Sequence, residues 1–265
     1  MNRRRILSWI GTAIASLLIF TTLPTFAPSP VTAQSSTTLL VSAAASLKET
    51  LEEIKPLYQQ TQPSINVNYN FGASGALLQQ IEQGAPVDVF ISAAKRQVDI
   101  LETKRLLLPG TRANIARNRL VLVVPNNVVG VGSFYNLKDA NIKKIAIGEP
   151  RSVPAGQYAE QVLKKLKILP DVKSKLVYAN NVRQVLAAVE SGNADAGLVY
   201  ATDAKISDKV KIVVAADEKY HSAIVYPAAV LKSSKNANAA KEFVQFLSSN
   251  QAKAVLKKYG FLLPS

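Results

Sequence analysis

Residues 38–60 read TLLVSAAASLKETLEEIKPLYQQ. The opening, Thr38 to Val41, is apolar enough for a buried strand. Beyond the alanines at 43–45 the period changes, because Leu47, Leu51, Ile54 and Tyr58 recur at spacings of three and four and share one face of a helix. Pro56 falls inside that helix and should kink its last turn. A strand that passes into an amphipathic helix across small residues is one β-α unit, and it predicts an α/β protein with parallel sheet.

The same alternation continues along the rest of the chain. Strand INVNYNF (65–71) precedes helix GALLQQIEQG (75–84), and VDVFISA (87–93) precedes KRQVDILETKRLL (95–107). A second series starts at RLVLVVP (119–125) and continues through KKIAIGE (143–149), GQYAEQVLKKLKIL (156–169), KLVYA (175–179), VRQVLAAVESG (182–192) and ADAGLVYA (194–201). Strand AIVYPAAVL (223–231) and two helices, 237–249 and 250–260, then return the chain to the first series. The expected organisation is two α/β lobes joined by two crossing segments, with lobe I formed by 38–118 and 228–265 and lobe II by 119–227.

Residues 1–33 stand apart. Three arginines precede an uncharged run from Ile6 to Phe20, and VTA ending at Ala33 offers a small-residue cleavage site. This reads as a cleaved export signal, since a membrane span needs about 20 apolar residues and the run is shorter. The export route is left open. The sequence has no cysteine, so neither disulfides nor a lipid-modified cysteine can form, and a soluble periplasmic protein is expected. Cleavage would lower the formal charge from +14 to +11. That charge favours anionic partners, but its lysines are scattered along helices with little aromatic interleaving, so no nucleic-acid surface is expected.

Catalytic patterns are missing. The one histidine is His221, expected at the surface, and the sequence holds no Gly-x-Ser-x-Gly elbow, no cysteine–histidine pair and no metal-spaced cluster. The chain is therefore not expected to be an enzyme, nor to hold a cofactor or a free metal cation. The helix starts are more informative. Ser46, Ser74, the run Pro154–Ala155–Gly156, and Asn181 as cap before Val182 each open a helix after a strand. Such ends carry unpaired N–H groups and about half a positive charge, and in an open parallel sheet they gather at the carboxyl edge, where ligands bind. Small residues in AAAS, GASG and VPAG let an anion approach the backbone.

Taken together, LLVSAAASL, FGASGALLQQIEQGAPVDVFISA, GEPRSVPAGQYA, NNVRQVLAAVESGNADAGLVYATDA and KKYGF resemble the periplasmic molybdate-binding proteins of ATP-driven importers over nearly all of the chain beyond the signal. The resemblance implies a two-lobed periplasmic binding protein fold with a ligand cleft between the lobes. It implies a monomeric receptor for the molybdate oxyanion, or tungstate, that serves a membrane permease. The implied shell is the hydroxyl and N–H of Ser46 and Ser74, the N–H groups of Ala155 and Val182, and the Tyr200 hydroxyl. Ser46 would then both cap its helix and bind ligand. Arg151, near the third turn, is left out because that shell is neutral.

A shell made only of donors suits an anion without a proton, whose oxygens all accept. Molybdate, tungstate and sulfate qualify; hydrogen phosphate has an O–H that would need an acceptor, unless Glu149 or Asp88 entered the cleft. Sulfate is smaller, and it remains the alternative ligand.

Overall fold

The computed structural model describes residues 36–264, so the export signal read at 1–33 lies outside the described residues. Along the chain come β1 (Thr37–Ala44), α1 (Lys48–Thr61), β2 (Ile65–Gly72), α2 (Ser74–Glu82), β3 (Val89–Ile91), α3 (Lys95–Thr103) and β4 (Ala113–Arg117). Next are β5 (Leu120–Pro125), β6 (Ile145–Gly148), α4 (Pro154–Lys165), α5 (Leu169–Val172), β7 (Leu176–Ala179) and α6 (Val182–Glu190). Strand β8 (Ala196–Tyr200), α7 (Ala201–Lys205), β9 (Val210–Ala215), β10 (Val225–Val230), α8 (Ala237–Phe246) and α9 (Asn250–Lys258) follow.

The strands form two five-stranded sheets, ordered β2-β1-β3-β10-β4 and β7-β6-β8-β5-β9. Each has a parallel trio made by β-α-β units: β1 pairs with β2 from Thr37↔Ile65 to Ala44↔Gly72 and also with β3, while β6 pairs with β7 and β8. Each sheet also takes one strand that arrives directly from the other sheet, and that strand runs antiparallel to its neighbours: β10 in the first, β5 in the second. The sheets are therefore mixed where alternation alone predicts parallel pairing. A parallel pair needs a long crossover, and these strands enter without one.

Burial follows the sequence pattern. Val89, Phe90 and Ile91 of β3 and Leu120 to Val124 of β5 are buried, as strands covered on both faces must be. The stripe Leu47, Leu51, Ile54 and Tyr58 is buried, with Leu47 in the 3₁₀ turn just before α1, and the helix continues through the exposed Pro56 to Thr61. Edge strands β4 and β9 are additions to the sequence reading. The chain crosses between sheets twice, at Asn118–Arg119 and between Ala215 and Val225. Within the described residues no helix is long and apolar enough to cross a membrane.

Candidate functional site

Six strand-to-helix turns, three from each sheet, line one small cavity. The first sheet contributes Ala44–Ser46 after β1, Gly72–Ser74 after β2 and Ala93 after β3; the second contributes Val153–Ala155 after β6, Asn181–Val182 after β7 and Tyr200 at the end of β8. Only about 10 Å³ of it is open to the centre of a water-sized sphere, far below the roughly 300 Å³ at which pockets for organic ligands begin, so a small ion fits better. All five residues of the sequence-derived shell, Ser46, Ser74, Ala155, Val182 and Tyr200, line this cavity. Its lining holds no charged side chain.

Local sequence accounts for the close assembly. Gly156 packs the start of α4 onto the end of β6, where an added Cβ would lie 1.9 Å from the Gly148 carbonyl oxygen. Gly75 brings α2 against the other half of the site: its N–H donates to the Ser152 carbonyl at 2.9 Å, and a Cβ would come within 2.5 Å of that same oxygen. Ser74, Ala155 and Val182 lie in the first two positions of their helices, where no preceding turn supplies an acceptor for the N–H.

The side chains differ in how they are held. Ser74 Oγ accepts from the Ala93 N–H at 3.0 Å. Ser46 Oγ lies 2.9 Å from the Tyr226 hydroxyl, which also accepts from Asn118 Nδ2 at 3.2 Å. The Tyr200 hydroxyl is fully buried beside the Tyr226 hydroxyl and makes no hydrogen bond of good geometry among the described residues. Its ring meets Tyr226 edge to face at 5.9 Å. Burial, with the neighbouring Tyr226, raises the Tyr200 phenol well above its ordinary value. It therefore keeps its proton at neutral pH and can act only as a donor or acceptor, never as an anion, toward a negative ligand.

Ser46 does not cap its helix. It sits inside a single 3₁₀ turn, Ala45–Leu47, whose cap is Ala44, and its hydroxyl is engaged by Tyr226 instead of a helix N–H. Ser74 is likewise the first helical residue after the cap Ala73. Asn181 does cap α6, accepting from the Gln184 N–H at 3.0 Å. Arg151 is exposed and pairs with Glu149 at 3.2 Å, and neither lines the cavity. Asp88 is used elsewhere, accepting from the Leu40 N–H and the Ser234 hydroxyl. His221, expected at the surface, is partly exposed there, with its ring edge to face with Tyr158 at 5.8 Å.

Sequence reasoning missed the charges behind the turns. Arg183, next to Val182, pairs with Glu49 of α1, reaches the Ser46 carbonyl at 3.4 Å and lies 2.7 Å from Asp203. Burial pushes Asp203 up to about 6, against the pull of Arg183 and the Tyr200 N–H that it accepts at 3.2 Å. Asn118 and Tyr226 were missed as well. Only the adjacency of Arg183 to Val182 and of Asp203 to Tyr200 could have flagged this group.

Known proteins place this arrangement. The model of the bacterial extracellular solute-binding protein family matches residues 39–262. A putative ABC transporter substrate-binding lipoprotein, YvgL of Bacillus subtilis, is 45% identical over 88% of this chain and 89% of its own. The molybdate-binding protein ModA of Haemophilus influenzae is 38% identical over 85% and 90%. The solved periplasmic molybdate-binding protein of Azotobacter vinelandii superposes with a TM-score of 0.78 at 30% identity, covering 86% of this chain and all of that one. Its fold is the two-lobed α/β fold of periplasmic binding proteins, and the chain belongs to the bacterial extracellular solute-binding protein family.

Proposed function

We propose that this protein is the extracytoplasmic receptor of an ABC importer, capturing molybdate, and tungstate with it, for a membrane permease. One observation carries the reading: donors from both sheets converge on a small cavity whose lining has no charged side chain. Ser46, Ser74 and Tyr200 offer hydroxyls, and the first turns at Ser46, Ser74, Ala155 and Val182 offer N–H groups. A tetrahedral dianion can satisfy such a shell with every oxygen accepting. The names of the similar proteins from Haemophilus influenzae and Azotobacter vinelandii support molybdate as the ligand.

Residues 1–33 serve as a cleaved signal, and the released protein works as a periplasmic monomer whose lobes meet at Asn118–Arg119 and at the segment before β10. The ligand is held and handed on unchanged, so the site needs no catalytic group or cofactor. Calorimetric titration of the protein from residue 34 onward with molybdate, tungstate, sulfate and phosphate tests this. Tight binding of molybdate and tungstate with weak binding of the other two is expected. Equal binding of all four, as a basic surface alone would give, overturns it, and a preference for sulfate reassigns the ligand.

A further inference from the structure

Each serine hydroxyl at the cavity already receives a hydrogen bond, and its direction can be worked out. For Ser74 the donor is the Ala93 backbone N–H, so Oγ accepts and its own proton is left to point elsewhere. For Ser46 the partner is a tyrosine hydroxyl, which could in principle act either way. The chain behind it removes that freedom. Asn118 Oδ1 accepts from the Arg119 N–H at 2.8 Å, and turning the amide over would set its NH₂ against that donor. Asn118 Nδ2 therefore faces the Thr202 hydroxyl oxygen at 2.8 Å and the Tyr226 oxygen at 3.2 Å.

Tyr226 thus accepts from Asn118, and its own proton goes to its other neighbour, Ser46 Oγ. Burial holds the Tyr226 phenol far above its ordinary value, so that proton is always present. Ser46 Oγ accepts it, which leaves the Ser46 proton free to turn toward the cavity that the residue lines. Asn118, Thr202, Tyr226 and Ser46 are all at most 4% exposed, so water does not compete for these bonds.

We propose that Asn118 and Tyr226 are positioning residues: from the crossing segment and β10 they keep the Ser46 proton free for the ligand, and so bias the site toward anions that carry no proton. The inference deepens the receptor reading and rests on it for the ligand's place. Neither residue touches the ligand. Their role is to keep the Ser46 proton for the ligand: an anion whose oxygens all accept takes it, while hydrogen phosphate can place its own O–H on Ser46 only if the hydroxyl turns its second lone pair to the cavity and gives up that donated bond.

Two substitutions test the relay at about pH 8, where molybdate, sulfate and hydrogen phosphate are all dianions and only the last carries a proton. Tyr226→Phe frees Ser46, so molybdate and sulfate affinity should fall about tenfold while hydrogen phosphate holds or gains. Asn118→Asp goes further. The carboxylate can only accept, so Tyr226 donates to it, Ser46 donates to Tyr226, and a Ser46 lone pair faces the cavity. The ratio of sulfate to hydrogen phosphate affinity should then drop by about a hundredfold. The added buried charge would repel the three dianions alike, so the ratio isolates the direction of the hydroxyl. In a Ser46→Ala background neither substitution should change the ratio.

Equal losses for all three anions overturn the relay, as does a ratio change that persists without the Ser46 hydroxyl. Wild-type protein that binds hydrogen phosphate as tightly as sulfate and molybdate overturns it too. The ligand assignment fails separately: a wild-type preference for sulfate defeats molybdate, yet the sulfate to hydrogen phosphate ratio still reads the relay. If Asn118→Asp does not fold, Tyr226→Phe, which keeps the ring, carries the test alone.

Discussion

Tyr200→Phe removes one oxygen from the centre of the site and nothing else. The hydroxyl is fully buried, and Tyr200 lines the cavity with no well-formed hydrogen bond to another described residue. A buried hydroxyl without a hydrogen bond costs about 1–3 kcal/mol, so deleting it should leave the ligand-free protein unchanged or more stable by up to that amount. The ring and its edge-to-face contact with Tyr226 at 5.9 Å remain. With an anion bound, the same hydroxyl would make a charge-assisted hydrogen bond of about 1.5–3 kcal/mol, and its loss should weaken binding about 10- to 150-fold. Calorimetry with molybdate and thermal unfolding without it measure the two effects on the same pair of proteins. A packing tyrosine gives the reverse result, with unaltered affinity and a less stable ligand-free protein, and that outcome would refute the reasoning.

Ser74→Ala strips the acceptor from the buried Ala93 N–H, so thermal unfolding should show a loss of about 1–3 kcal/mol alongside a molybdate affinity about tenfold lower by calorimetry. Gly156→Ala forces a Cβ to 1.9 Å from a backbone oxygen that cannot rotate away; denaturant unfolding should record a cost of about 3 kcal/mol, and normal stability would contradict the tight α4–β6 packing. Asp203 titrates at about 6 when folded against 3.8 for the ordinary group, so its ionisation opposes folding: the stability it allows is full below the lower value and is lost as pH rises through the higher. Between those values wild type should lose about 3 kcal/mol relative to Asp203→Asn, measured by urea unfolding across pH, and a flat difference would refute the shift.

Much of the architecture is legible because local pattern and tertiary burial agree. The stripe Leu47, Leu51, Ile54 and Tyr58 is spaced for one helix face and is buried on one. Val182, Val185, Leu186 and Val189 behave the same way in α6. Edge strands β4 and β9 are harder, since a strand paired on one side only is not obliged to be apolar throughout; in β9 Lys211 and Ile212 are both exposed. At the site, Ser46, Ser74, Ala155 and Val182 were approachable from sequence because each sits where a strand gives way to a helix, whereas Tyr200 came only with the family resemblance. Their supports were not. Tyr226 is 180 residues from Ser46 and 108 from Asn118, and a tyrosine in an apolar strand looks like packing. Arg183 looks like a solvated helix charge until Glu49 and Asp203 are seen on either side of it.

That placement of Arg183 bears on how a neutral shell can hold a dianion and still close around it. A guanidinium in the lining would attract sulfate, phosphate and molybdate alike, because long-range charge does not distinguish them. Here the arginine is one residue from the Val182 N–H but is committed to two carboxylates, leaving the lining to fixed dipoles whose direction and spacing can discriminate. Its bond to Glu49 also joins α6 of the second sheet to α1 of the first, as the Gly75 N–H to Ser152 carbonyl bond joins α2 to the turn before α4. Both ties form only when the sheets' carboxyl edges face each other. A ligand that draws donors from both edges favours that same arrangement by its differential affinity. For the proposed receptor, capture and closure would be one equilibrium, in which Arg183 would contribute to the closed state from behind the shell and leave the choice of anion to the hydroxyl and N–H groups in front of it.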